Sequence, residues 1–242
     1  IYLNEVAEKS SARNRNNTRS NLNILFKVLE DNEIIKSNFI PTINVLKSNP
    51  ERNKTYTSTQ IKEIKKLLNS EPVLSVMVAF VSYNFLRPLE VCRLRIKDID
   101  LVDKKIMVRA KNKKVKIKII PDIVTDLLPD LSNLDPNSYF ITPFGFGYEW
   151  NTTEVNKRHY FSNLFLEKIK KPLNLGKDYG LYSFRHTFVT ELYNNLIKNY
   201  TPFEAKSKLM LITGHTTMTA LEKYLRDIDA VLPDDYSKMF KK

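Results

Sequence analysis

The longest apolar run in the chain extends from Val73 to Val81, broken only by Ser75 and flanked by Glu71 and Asn84. It is far too short to cross a bilayer, which takes about 20 apolar residues. Pro72 suits the first turn of a helix, where its missing N–H leaves no bond unmade. A helix from Pro72 to about Tyr83 is apolar nearly all round and has no face to give to water. It must lie at the centre of a domain, and the rest of the chain has to supply the layers that cover it.

Upstream, residues 1–20 are polar and read as frayed or extended. From Thr18 the pattern changes: Leu22, Leu25, Phe26 and Leu29 recur at the spacing of one helical face and predict a helix ending near Asp31-Asn32. Ile34, Ile35, Phe39 and Ile40 add a hydrophobic return. This is too little for a domain, so residues 1–48 read as the C-terminal part of a helical domain. Ile1 is not a natural start, and a preceding segment is expected. Lys47 to Lys54 is polar, contains Pro50 and lacks periodicity, which sets a linker at residues 49–56. The second domain then covers residues 57–242. It opens on Thr57-Ser58-Thr59-Gln60, a capping box, followed by Ile61, Ile64, Leu67 and Leu68 on one face.

Beyond the apolar helix, Pro88 can open a short helix with Arg87 at its start and Glu90 one turn on. An arginine between two apolar segments is either a functional group or half of a structural pair with Glu90, and both readings stand. Next comes a β region. Ile106-Met107-Val108 reads as a strand and Lys111-Asn112-Lys113-Lys114 as a turn. Val115, Ile117 and Ile119 then alternate with Lys116 and Lys118 as in a half-exposed strand, the lysines on the wet side. From Lys104 to Lys118 there are eight basic residues and no acid. Lysines protect a solvated edge, but this density exceeds that need and suits phosphate contact by Arg109, Lys113, Lys114 and Lys116.

After Pro121 a short helix is expected toward Leu131, then a brief strand Tyr139-Phe140-Ile141 and an aromatic loop from Pro143 to Gly147. Phe161, Leu164, Phe165 and Ile169 form a helical stripe, with His159 a bland residue on the same helix. Ser183 reads as the N-cap of the helix carrying Arg185, and that N-terminus suits an anion. Thr201-Pro202-Phe203-Glu204 is a second capping box, and Gly214 the left-handed end of its helix. A short helical pattern follows, with Thr219 and Glu222 as its apparent cap and Tyr224 near its end. Alone, Tyr224 reads as a packing group. Asp227 to Lys242 is a tail. The fold class is mainly α with a small antiparallel β-sheet (α+β).

The 242 residues include 39 basic and 27 acidic side chains, a net charge of +12. Such a balance favours a polyanionic partner, nucleic acid before an acidic membrane surface, although a lysine-, asparagine- and isoleucine-rich composition accounts for part of it. The single cysteine, Cys92, excludes an intrachain disulfide, offers no zinc cluster and fits a reducing, cytoplasmic setting. Nothing at the start has the form of a signal peptide, and no membrane partner is expected.

One order of residues overturns the bland reading of Tyr224. Arg87, a basic hairpin holding Lys111, Arg185-His186-Thr187, Gly214-His215 and then Tyr224 resemble the catalytic domain of the tyrosine recombinases, the phage integrase family. The resemblance covers roughly residues 55–230, and residues 1–48 look like the last helices of that family's core-binding domain. It implies that Tyr224 attacks a DNA phosphodiester, forms a 3′-phosphotyrosine and releases a 5′-hydroxyl, a step later reversed. One ester replaces another, so no cofactor is implied, neither metal nor ATP. Arg87 and Arg185 would present donor forks to the non-bridging oxygens, and His215 would hydrogen-bond the phosphate. Lys111 would be the general acid, with Lys113 and Lys114 as alternatives, and Glu90 would orient the site. Two positions depart from the family. Tyr182 stands where the histidine of His-x-x-Arg is usual and is left a supporting role; Phe85 replaces a glycine common shortly before the first arginine. The implied partners are double-stranded DNA recombination sites and, on DNA, a homotetramer associated with the nucleoid. A DNA-binding regulator without catalysis on a similar fold and a type IB topoisomerase that shares the chemistry are the alternatives. The intact residue set disfavours the first, and the short chain with its preceding helical segment disfavours the second.

Overall fold

The structure, a computed structural model, describes residues 2–47, 54–109 and 115–225, with only the backbone for Lys223 and Tyr224. The chain forms two compact units, Ile1–Arg52 and Asn53–Lys242.

In the first unit, α1 (Tyr2–Lys9) precedes α2 (Ala12–Asp31). The expectation of a frayed start is therefore wrong. Ser11 Oγ accepts from the Asn14 amide at 3.2 Å and caps α2. Arg15 and Arg19 donate across to the carbonyls of Asn44, Ile43 and Pro41. Polar cross-links hold this stretch, and apolar periodicity does not register them. Of the predicted stripe, Leu22, Phe26 and Leu29 are half-buried while Leu25 is exposed. Phe26 meets Phe39 edge to face at 5.1 Å, and Ile40 is buried.

The second unit is built around α4 (Pro72–Ser82), the predicted all-apolar helix, buried along nearly its whole length. Helices α3 (Ser58–Leu68), α5 (Pro88–Val91), α7 (Glu154–Phe165) and α8 (Leu181–Leu196) pack on it. The α3 capping box forms as its sequence dictates: Gln60 N donates to Thr57 Oγ1 at 3.2 Å and Thr57 N to Gln60 Oε1 at 2.9 Å. Helix α7 runs on through a π-helical turn, Leu166–Lys170, and buries Phe161, Phe165 and Ile169.

An antiparallel sheet in the order β1-β2-β3 comprises Ile99–Asp100, Lys105–Val108 and Lys116–Ile119. Its third strand turns opposite to expectation. Ile117 and Ile119 are 69% and 75% exposed, whereas Lys116 and Lys118 face inward. The register explains the inversion: Lys118 lies across from Ile106 and Lys116 from Val108, both buried. Cross-strand partners share a face. Helix α6 (Asp122–Thr125) stops well short of Leu131. Of the aromatic stretch read as a loop, Pro143 and Phe144 form a turn, but Gly145 to Gly147 belong to strand β5 (Gly145–Tyr148), paired with β4 (Tyr139–Thr142).

Ser183 is not an N-cap. Gly180 caps α8, and Ser183 Oγ, already inside the helix, accepts from Gly180 N at 3.1 Å. Helix α9 (Pro202–Thr213) begins with the Thr201–Glu204 capping box and ends at Gly214 with φ +76°. Helix α10 (Met218–Leu225) is capped by Thr217, not Thr219: Ala220 N donates to Thr217 Oγ1 at 3.2 Å. A second small core, centred on Phe85, Val189, Leu209 and Leu221, joins α8, α9 and α10. The expected tail lies outside the described residues, as does most of the expected linker.

Candidate active site

The chain leaves α4 through a tight turn in which Phe85 has φ +53°, the left-handed conformation that favours glycine. Its ring is buried in the second core, which offsets the strain. The turn delivers Arg87 to the start of α5, where Glu90 holds it at both ends. The Arg87 amide donates to Glu90 Oε2 at 2.8 Å and its Nη1 to Oε1 at 2.9 Å. Burial works against the Arg87 cation, but Glu90 and the Tyr182 hydroxyl more than compensate, and its pKa is raised. Tyr182, in the first turn of α8, thus reaches Arg87; its ring also meets that of His186 edge to face at 5.0 Å.

Arg87, Glu90, Arg93, Lys116, Gly214 and His215 line a cleft of about 370 Å³, with Ala220 in its wall. Lys116 Nζ donates to the Gly214 carbonyl at 2.6 Å, tying β3 to the end of α9. Arg185 is buried, and its Nη2 reaches the Thr213 carbonyl at 3.5 Å. Beneath the cleft, Lys118 Nζ donates to the Asn84 carbonyl, and Asn84 Nδ2 to the Ile119 carbonyl at 2.9 Å. Burial, with Arg185 nearby, drives the Lys118 ammonium down to about 7; Glu90 opposes, while Lys116 and Arg87 add to the fall.

His215 is neutral for related reasons. Burial first, then Arg185, Arg87, Lys116 and Lys118, lower its pKa to about 4. Its tautomer follows from two short contacts. Thr213 Oγ1 lies 2.7 Å from the Leu209 carbonyl and 2.6 Å from His215 Nδ1. A hydroxyl has one proton and a carbonyl none, so the hydroxyl donates to Leu209 and the ring donates to the hydroxyl. The proton sits on Nδ1, and Nε2 is the basic nitrogen.

Residues 54–229 match the family described as "Phage integrase family". The chain belongs to the phage integrase family. A search of curated proteins finds no match. Among solved structures, this integrase-family chain is similar to the integrase of transposon Tn1549 in complex with circular intermediate DNA. Identity is 19%, the TM-score 0.65, and the match covers 100% of this chain and 83% of that one. A lambda integrase dimer bound to a COC′ core site is 16% identical, with a TM-score of 0.67 and coverage of 96% and 80%. XerA recombinase is 19% identical, with a TM-score of 0.54 and coverage of 78% and 64%. At these identities the likeness establishes the fold.

Of the candidates from sequence, Arg87, Glu90, Lys116 and His215 line one cleft, and Arg185 and Tyr182 interact with its members. Arg109 is held by the buried carboxylate of Asp98, at 3.0 Å from Nη2. His159 lies exposed on α7. Lys111, Lys113 and Lys114 fall outside the described residues. For Tyr224, α10 fixes the backbone: the residue is one turn beyond Ala220. Sequence reasoning missed Lys118, Arg93 and Thr213. Arg93 lines the cleft and pairs with Glu154 at 2.6 Å. The strand alternation carries the signal for Lys118 but does not say which face is wet. Among the described residues, no cluster of histidine, cysteine and carboxylate side chains could hold a metal ion, and no helix is long and apolar enough to cross a membrane.

Proposed function

We propose that the chain is a tyrosine-type site-specific recombinase that cuts and rejoins double-stranded DNA through a 3′-phosphotyrosine on Tyr224. One observation carries the reading: Arg87, Lys116 and His215 line a single cleft, Arg185 and Lys118 act on His215 from outside its wall, and the only lining carboxylate, among the described residues, is already bonded to Arg87. Uncompensated charge of this kind suits one phosphodiester. Ala220 belongs to the cleft wall and position 224 follows one helical turn later, which supports the choice of nucleophile.

In the proposed reaction the Tyr224 phenol gives its proton to His215 Nε2 and its oxygen attacks phosphorus. The bond from phosphorus to the 5′-oxygen breaks, and Lys111 supplies the proton that the leaving oxygen takes up. Charge gathers on the non-bridging oxygens, where Arg87, Arg185 and the newly formed imidazolium stabilise it. Reversal by a 5′-hydroxyl restores the diester. One ester bond replaces another, so neither ATP nor a metal is required. The Tn1549 and lambda integrases, both solved on DNA, support DNA as the partner. Residues 1–48 would be the end of a core-binding domain, and a tetramer on two duplexes the working assembly.

The test is a covalent protein–DNA adduct on a randomised library of nicked duplexes, expected from the wild type and absent in Tyr224→Phe. An adduct that persists in the variant removes Tyr224 as nucleophile. Salt-sensitive DNA binding with no adduct on any duplex would favour a non-catalytic regulator.

A further inference from the structure

Lys118 is a residue that neither the family pattern quoted above nor the charge-cluster reading of the hairpin assigns to a role. It is not in the cleft wall. It lies behind it, on the inward face of β3, and its Nζ bonds the Asn84 carbonyl in the turn that delivers Arg87. That turn is fixed to β3 a second time through Asn84 Nδ2 and the Ile119 carbonyl. The titratable groups around Lys118 are Arg185 from α8, Arg87 and Glu90 from the start of α5 and its first turn, Lys116 from β3 itself and the neutral His215 from the turn after α9. Four of these five are basic, and only Glu90 is an acid. A buried ammonium among cations is disfavoured until an anion arrives.

We infer that Lys118 is a charge-regulating positioning residue, which holds its proton weakly in the empty cleft and takes one up from solvent when a phosphate or similar anion enters. The inference rests on the proposed reading of the cleft as a phosphate site. The proton balance is simple: an amine and one solvent proton become an ammonium, whose charge then supports the bound anion through Arg87's turn. Lys118 Nζ in the empty protein ionises near 7. A unit negative charge a few ångströms away raises such a midpoint by about one to two in pH. Anion binding is then strongest below the midpoint of the empty site. It weakens as pH rises through the higher midpoint of the occupied site.

The decisive measurement is NMR titration of 13Cε-labelled lysine in the full 242-residue chain, with the Lys118 signal identified by its loss in Lys118→Arg. Sulfate is the probe, because it carries a phosphate-like charge without titrating in this range, and chloride at matched ionic strength is the control. The expected result is a midpoint near 7 in chloride that moves up by about one or more in sulfate. A signal titrating with the bulk lysines near 10.5, or one that sulfate does not move, overturns the inference. A purely structural latch to Asn84 would show no such response. In Lys118→Arg, whose charge is permanent, sulfate affinity is expected to lose its fall between pH of about 7 and 9. Should that variant not fold, loss of the signal in Lys118→Met identifies it instead, and the wild-type titration in chloride and sulfate decides. The adduct assay is independent: sulfate-linked protonation without any DNA adduct sinks the recombinase reading and leaves the anion-linked lysine standing.

Discussion

Phe85 shows how a local rule can be broken and compensated. A left-handed backbone costs a non-glycine residue roughly 1–2 kcal/mol. Removing a buried phenyl ring costs about 3–5 kcal/mol. The second core, where Phe85 packs with Val189, Leu209 and Leu221, therefore outweighs the strain. Phe85→Gly is expected to destabilise the chain by about 2 kcal/mol in urea unfolding, even though it restores the residue the conformation favours. The sequence revealed the departure from glycine but not its remedy, because the partners of the ring are more than a hundred positions away. Lys118 carries a second prediction. Its midpoint in the folded chain is about 7 against 10.5 for an ordinary lysine. The unfolded chain thus binds more protons between these values, and stability rises with pH across that window. Lys118→Met is expected to abolish a rise of about 2–4 kcal/mol, read as the difference between the two chains' unfolding free energies at about pH 6.5 and 10. Arg87→Ala, in contrast, acts on the proposed reaction. Loss of one preorganised donor to the transition state should slow adduct formation by about 10²–10³-fold.

At the scale of elements, the two capping boxes and the left-handed end of α9 were legible because each depends on residues three or four positions apart. The start of α8 was not. Ser183 has the right chemistry for a cap, yet Gly180 takes the position, and the serine closes the reciprocal bond from inside. Strand β3 was legible as a strand and illegible as to its face. Alternation gives two faces without saying which is wet, and the choice depends on Ile106 and Val108 of the neighbouring strand. The joint between α9 and α10 holds His215 through Gly214 and Thr213. Among the described residues, a Cβ on Gly214 would meet only Lys116 Nζ, at an ordinary 3.9 Å, so Gly214→Ala is a test of the backbone alone. A loss of roughly 1–2 kcal/mol is expected in thermal unfolding. Thr213→Val keeps the volume but removes the hydroxyl that accepts from His215 Nδ1. The freed ring should lose its tautomeric preference, and the pH profile of adduct formation should shift while DNA affinity is retained.

For the whole molecule, composition pointed to a polyanion, and the order of the site residues pointed to the family that the comparison establishes. The grouping of charges was less legible. Lys104 and Lys105 are neutralised by Asp122 and Asp103, and Arg109 by Asp98, whereas Lys116 and Lys118 turn toward the cleft. If about six phosphates are contacted in the proposed complex, affinity for duplex DNA should fall by about 10³-fold between roughly 50 and 200 mM salt. That slope is measurable by fluorescence anisotropy.

The inward turn of the lysines also has a colloidal side. It leaves Met107 of β2 and Val115, Ile117 and Ile119 at β3 as an oily outer surface, and among the described residues β3 is an edge strand of its sheet. Unpaired strand edges with apolar faces attract their own kind. At low salt the net charge of +12 keeps copies apart. The salt that loosens this chain's grip on DNA also screens that repulsion, so concentrated, DNA-free protein should cloud as ionic strength rises, and Ile117→Thr with Ile119→Thr should keep it clear.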